Sequence, residues 1–106
     1  MVSQFDVYLI NLDAAVTDDA RNTRPGVVIS PNEINRNLDT VIIAPLSSTK
    51  LKYPTRVSVE FLNSERFIVL DQLRTVDKSR LVKKIGEIDS AFRKAAHDGL
   101  LELFAE

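Results

Sequence analysis

Through most of the chain, apolar residues come in short runs broken by turn chemistry, and only the last segment changes to a helical period. The run F-D-V-Y-L-I-N-L at residues 5–12 is β-prone and predicts the first strand. Residues 13–23 keep no period and carry Thr, Asp and Asn, which predicts a long loop. Pro25 marks the entry to a second strand at 26–30 and biases Arg24 towards an extended backbone. Ser30-Pro31-Asn32-Glu33 has the form of a capping box, with Ser30 expected to accept from the Glu33 amide and a helical turn ending near 35–37. Residues 40–46 predict a buried strand that Pro45 is expected to end at an edge or bulge. A polar loop with Lys50 and Lys52 follows.

Further on, Thr55, Val57, Val59 and Phe61 alternate with Arg56, Ser58 and Glu60, the period of a half-buried strand. Asn63-Ser64 then marks a turn and 67–73 a hairpin partner. After 74–77, a short turn or helical segment that Asp77 and Ser79 can cap leads to a strand at 81–85 closed by Gly86. Phe92, Ala95, Ala96, Leu100, Leu103 and Phe104 recur at helical spacing behind a candidate N-cap, Asp89, while Gly99 weakens this helix or permits close packing. Five or six short strands, one helical turn and a terminal helix predict a mainly β fold, a small β-barrel-like domain with a covering helix.

Composition narrows the chemistry. At 106 residues the chain is expected to form one domain, 1–106, and 44% hydrophobic with 27% charged residues is ordinary for a soluble protein. No apolar run approaches the roughly 20 residues of a membrane span, and the start lacks the pattern of a secretory signal. Without cysteine there is no thiol nucleophile or thiolate metal site, and the lone His97, read as a surface residue, argues against a histidine cluster. These features suit the cytoplasm, with no membrane partner. A net charge of −1 does not advertise nucleic-acid binding. However, Arg21, Arg24, Arg36, Lys50, Lys52 and Arg56 crowd the middle of the chain, as a local basic groove or as an evenly solvated surface; charge alone favours the latter.

Several blocks together resemble the MazF/PemK family of toxin endoribonucleases from toxin–antitoxin pairs. They are D-V-Y-L-I-N-L-D at 6–13, T-R-P-G-V-V-I-S-P at 23–31, N-R-N at 35–37, V-I-I-A-P-L-S-S at 41–48, P-T-R-V at 54–57 and V-L-D-Q-L-R-T-V-D-K-S-R-L at 69–81. The resemblance implies an SH3-like small β-barrel of the CcdB/MazF kind and a homodimer. It implies cleavage of single-stranded RNA at short sequences with no metal or cofactor, leaving 2′,3′-cyclic phosphate and 5′-hydroxyl ends. It also implies inhibition by a cognate MazE-like antitoxin whose tail lies over the RNA groove.

Such cleavage uses the RNA's own 2′-hydroxyl as nucleophile, so the protein must hold the phosphate in line and stabilise added negative charge. By the resemblance, Arg24 stands at the scissile phosphate, where a guanidinium offers bidentate contact. Ser47 takes the place of the active-site hydroxyl, with Ser48 as second choice. Asp71 is either the base used in one branch of the family or a structural carboxylate pairing with Arg74 or capping the turn; Gln72, Arg74 and Thr75 read as scaffold. Arg21, Thr23, Ser48, Lys50, Lys52 and Arg56 are candidates for RNA contact, and Tyr53 and Tyr8 for base stacking, with Tyr8 better placed in the core. Two departures stand out. Gln4-Phe5-Asp6 replaces the family's usual opening Arg/Lys-Gly-Asp turn, and Val16-Thr17-Asp18-Asp19 replaces a loop that often carries a glycine and then a glutamate, sometimes with a histidine. Two aspartates there would repel phosphate. A gyrase poison of the CcdB type and a weakened relative that keeps antitoxin binding are the competing readings.

Overall fold

The computed structural model describes residues 1–12, 23–50, 53 and 55–105. Seven strands and two α-helices follow in the order β1 (Asp6–Asn11), β2 (Thr23–Val28), α1 (Asn32–Asn37), β3 (Thr40–Ser47), β4 (Arg56–Phe61), β5 (Ser64–Val69), β6 (Arg74–Asp77), β7 (Leu81–Glu87) and α2 (Ser90–Phe104). One antiparallel sheet runs β4-β5-β3-β2-β1-β7, with β6 paired to β3 off this path. The sheet curls into a half-barrel, in keeping with the small β-barrel expected. Val7, Val27, Ala44, Leu46, Val57, Val59, Phe61 and Ile68 fill its inside together with Ala96 of α2. Ile10, Val28, Val41, Ile43 and Val76 form a second cluster on the other face. Because side chains alternate across a strand, β1, β2 and β3 each contribute to both clusters.

The eight-residue β3 is the hinge of this arrangement. Along one edge Ile43, Ala44 and Pro45 pair with Val28, Val27 and Gly26. Along the other, residues from Thr40 to Ile43 pair with β6, while Leu46 and Ser47 pair with β5. Pro45 was expected to end a strand but lies inside one. It falls between the last residue paired with β6 and the first paired with β5, where a missing N–H takes nothing from that ladder. Gly26 permits the close packing here, since a Cβ at that position would sit 2.6 Å from Ile10 Cδ1.

Other local expectations are revised. β2 begins at Thr23, so Arg24 and Pro25 are strand residues and not its entry turn. The capping box does not form: Pro31 is the N-cap residue of α1 and makes no side-chain cap bond. Instead Ser30 Oγ donates to Asn35 Oδ1 at 2.5 Å and accepts from the Ile42 amide at 3.1 Å, which ties the buried Asn35 to β3. The hairpin turn is Leu62-Asn63, one residue earlier than expected, and both residues take the left-handed backbone that two-residue hairpins use. β5 ends at Val69, and Leu70–Gln72 form a 3-10 turn rather than continuing the strand. β6 occupies Arg74–Asp77, to which no element was assigned, and the short helical segment expected after it is the 3-10 turn Lys78–Arg80.

Gly86 was expected to close the last strand, but β7 runs on to Glu87 with Gly86 paired to Val7, and the loop expected at 13–23 lies outside the described residues up to residue 22. Other signals held. Val57, Val59 and Phe61 are buried while Ser58 and Glu60 are exposed. Asp77 accepts from the Ser79 amide and Asp89 caps α2 by accepting from the Ala91 amide. Gly99 is buried, as close packing requires, whereas Phe104 is exposed. Phe5 stands where the resembling family has its turn glycine and keeps a glycine-like φ of 71°. Its ring is buried against α2, edge-on to His97 at 5.3 Å and beneath the Arg93 guanidinium at 5.4 Å. Burying so large a ring offsets the roughly 1–2 kcal/mol that a left-handed backbone costs a residue with a Cβ.

Candidate active site

A groove of about 720 Å³ opens over the outer face of β2, β3, β5 and β4. Strand register explains which side chains meet there. Gly26 faces Pro45 in the last β2–β3 pair, and Arg24 and Ser47 lie two residues beyond it on their strands, each in phase with that pair. Both then project from the face that carries Val28 and Ile43. Towards the other side Ser47 faces Phe67, and Val69 of the same strand faces Arg56 of β4. Arg24, Pro45, Ser47, Val69 and Arg56 thus form one surface, and all of them line the groove.

Arg24 is exposed, and its one recorded side-chain bond, Nη1 to the Thr23 carbonyl at 3.0 Å, leaves most of its donor fork facing solvent. Ser47 Oγ accepts from the Thr49 amide at 3.0 Å, so it shapes the loop as serine commonly does. That bond uses an acceptor position only, and the hydroxyl proton remains a donor for an anionic oxygen. Among the described residues, the charged side chains of the lining are the arginines Arg24, Arg56 and Arg66. A protein of net charge −1 therefore carries a locally cationic groove, contrary to the evenly solvated surface that charge alone favours.

The other sequence candidates divide clearly. Ser48 and Thr49 line the groove next to Ser47. Lys50 is exposed in the following loop and is not a lining residue. Thr23 is buried in the β1–β2 ladder opposite Asn11, behind the groove. Asp71 lies in the 3-10 turn, away from the lining, and pairs with Arg56 at 3.3 Å rather than with Arg74. Arg21 and Lys52, and the acidic pair Asp18 and Asp19, lie outside the described residues. Tyr53 is exposed at 61%, and Tyr8 packs against the outer-face cluster, away from the groove. Arg66 and Gln72 line the groove without having been singled out for it. Arg66 carries no motif, and only pairing across the β4–β5 hairpin brings it to the groove's lip.

The chain matches the family model described as the PemK-like, MazF-like toxin of type II toxin–antitoxin systems over residues 3–104. It is 35% identical over 91 residues to the endoribonuclease MazF of Staphylococcus epidermidis, spanning 80% of this chain and 76% of that protein. Its fold is similar to a mycobacterial endoribonuclease solved with its cognate antitoxin, at TM-score 0.82 and 21% identity over 96% of this chain and 93% of the other. It is also similar to a MazE–MazF complex from Deinococcus radiodurans, at TM-score 0.78 and 20% identity over 98% and 95% of the two chains.

Proposed function

The chain belongs to the PemK-like, MazF-like toxins of type II toxin–antitoxin systems, and on that premise we propose that it cleaves single-stranded RNA in the groove between Arg24 and Ser47. The observation that carries this reading is that adjacent strands present an arginine and a hydroxyl on one face, in a groove whose charged lining residues, among those described, are arginines. The 2′-hydroxyl gives up its proton to water and its oxygen forms the new bond to phosphorus as the bond to the 5′-oxygen breaks, giving a 2′,3′-cyclic phosphate and, once water returns a proton to the leaving oxygen, a 5′-hydroxyl. Charge accumulates on the non-bridging oxygens during this exchange. The Arg24 fork and the Ser47 hydroxyl stabilise it by charge-assisted hydrogen bonds, with no metal required. Arg24 acts as an electrostatic stabiliser, not as a proton donor.

The remaining biology follows the family. The protein works as a homodimer in the cytoplasm. Among the described residues, no helix is long and apolar enough to cross a membrane. A MazE-like antitoxin neutralises it by covering the groove. The named activity of the Staphylococcus relative supports RNA cleavage over a gyrase-poisoning role.

Incubating the purified protein with a long single-stranded RNA and excess chelator is expected to give fragments ending in cyclic phosphate. Arg24→Ala is expected to lower kcat/KM by a factor of roughly 10² or more, the usual cost of removing one transition-state donor. Intact RNA under these conditions, or full activity of Arg24→Ala, would overturn the proposal.

A further inference from the structure

Arg56 is bound in a way that Arg24 is not. Its Nη2 donates to Asp71 Oδ2 at 3.3 Å, and Thr55 Oγ1 donates to the other carboxylate oxygen at 3.2 Å. Its side chain is only 12% exposed, yet it lines the groove. Its Nε is, among the described residues, the buried side-chain polar atom that has no hydrogen-bond partner. A buried guanidinium N–H without an acceptor is costly, and because, among the described residues, only Nη2 is bonded, the Nη1 end of the same fork is what an anionic oxygen in the groove can meet. Arg56 stands two strands from Ser47 on the side away from Arg24. Arg24 on β2 and Arg56 on β4 are three strands apart, roughly 14 Å at a spacing of about 4.8 Å, so the two arginines enter the groove from opposite sides.

Resting on the RNA-cleavage reading, we infer that Arg56 forms a second phosphate site in the groove, for a phosphate flanking the scissile one. Asp71 is then the positioning residue that fixes Arg56, and not a base. Both carboxylate oxygens are already engaged by Thr55 and Arg56, and Asp71 does not line the groove where a 2′-hydroxyl would lie. Phosphate contacts of this kind set the register of a strand in its site without reading its sequence.

The test uses an oligoribonucleotide spanning one mapped cleavage site, made with phosphodiesters throughout or with a neutral methylphosphonate at single flanking positions. With the wild-type protein, one flanking methylphosphonate is expected to raise KM roughly tenfold, in line with the loss of one charge-assisted contact, and to leave kcat nearly unchanged. Arg56→Gln and Asp71→Asn are expected to raise KM similarly on the phosphodiester and to lose nothing more on that methylphosphonate. Arg56→Lys retains part of the affinity, and the pH profile of kcat for Asp71→Asn follows the wild type. The wild-type arm needs no variant to fold. A wild type indifferent to every flanking methylphosphonate, an unchanged KM for Arg56→Gln, or a lost acidic limb of kcat in Asp71→Asn overturns this inference alone. A wild type that leaves the phosphodiester substrate intact overturns the cleavage reading, and this inference falls with it.

Discussion

At Gly86 a single methyl group decides whether the two ends of the curled sheet can approach each other. A Cβ there would lie 2.8 Å from Phe61 Cε1 and 3.0 Å from Cζ, and the backbone φ of 156° is one that residues with a Cβ rarely adopt. Phe61 is buried in the inner cluster and cannot yield without disturbing its neighbours. Gly86→Ala is therefore expected to lose about 2–4 kcal/mol through overpacking and backbone strain together. Urea unfolding monitored by circular dichroism checks this, and a midpoint equal to the wild type would refute it. The same residue-level detail separates the site candidates. Arg24 and Ser47 sit in short motifs, so the roles proposed for them could be read from the chain. The engagement of Asp71 by Arg56 could not, because it joins residues 15 apart in sequence through a hairpin whose register sequence alone leaves open.

The pairing of β1 with β7 is the element whose charges set the alkaline limit of stability. Asp6 on β1 is buried at 2% exposure and meets Lys84 of β7 at 3.2 Å, while Lys84 also meets Glu87 at 3.0 Å. The hydrogen bond to Glu87, and then that to Asp6, hold the Lys84 ammonium above its ordinary value of 10.5. Burial, and then the Asp6 charge, push the Tyr8 phenol above 10.0. In both cases the folded state holds its proton more tightly than the unfolded chain. The associated stability is thus present in full below about pH 10 and is lost as pH rises through the folded values. Thermal midpoints measured from pH 8 to pH 11.5 are expected to fall over the upper part of that range. Tyr8→Phe combined with Lys84→Met is expected to flatten the decline, and an equally steep fall in the double variant counts against this assignment.

Over the whole molecule, the two apolar clusters are faces of the same three strands, β1, β2 and β3. Neither can unfold and leave the other a complete wall, so the chain is expected to melt as one cooperative unit, the single domain 1–106. Far-ultraviolet circular dichroism and tyrosine fluorescence should trace coincident urea transitions. In the proposed homodimer the midpoint should also rise with protein concentration. Separate transitions for the two probes would divide the chain into more than one unit.

The sequence by itself determined the features that depend on neighbours along the chain. These are the period-two alternation of β4, the Asp89 cap and terminal helix, the short strands, and the Arg24 and Ser47 motifs. All arise from short-range sterics and hydrogen bonding, which a linear pattern records. Tertiary structure decided what depends on register between distant strands. Pro45 became central rather than terminal, Ser30 turned from capping α1 to binding Asn35 and Ile42, and β6 formed on the spare edge of β3. It also gathered Arg24, Arg56 and Arg66 into one cationic groove on a chain of net charge −1 and gave Asp71 to Arg56. The physical reason is that a strand's side chains point alternately to two faces, and only the pairing of each strand with its neighbours settles which residues share a face and meet across it.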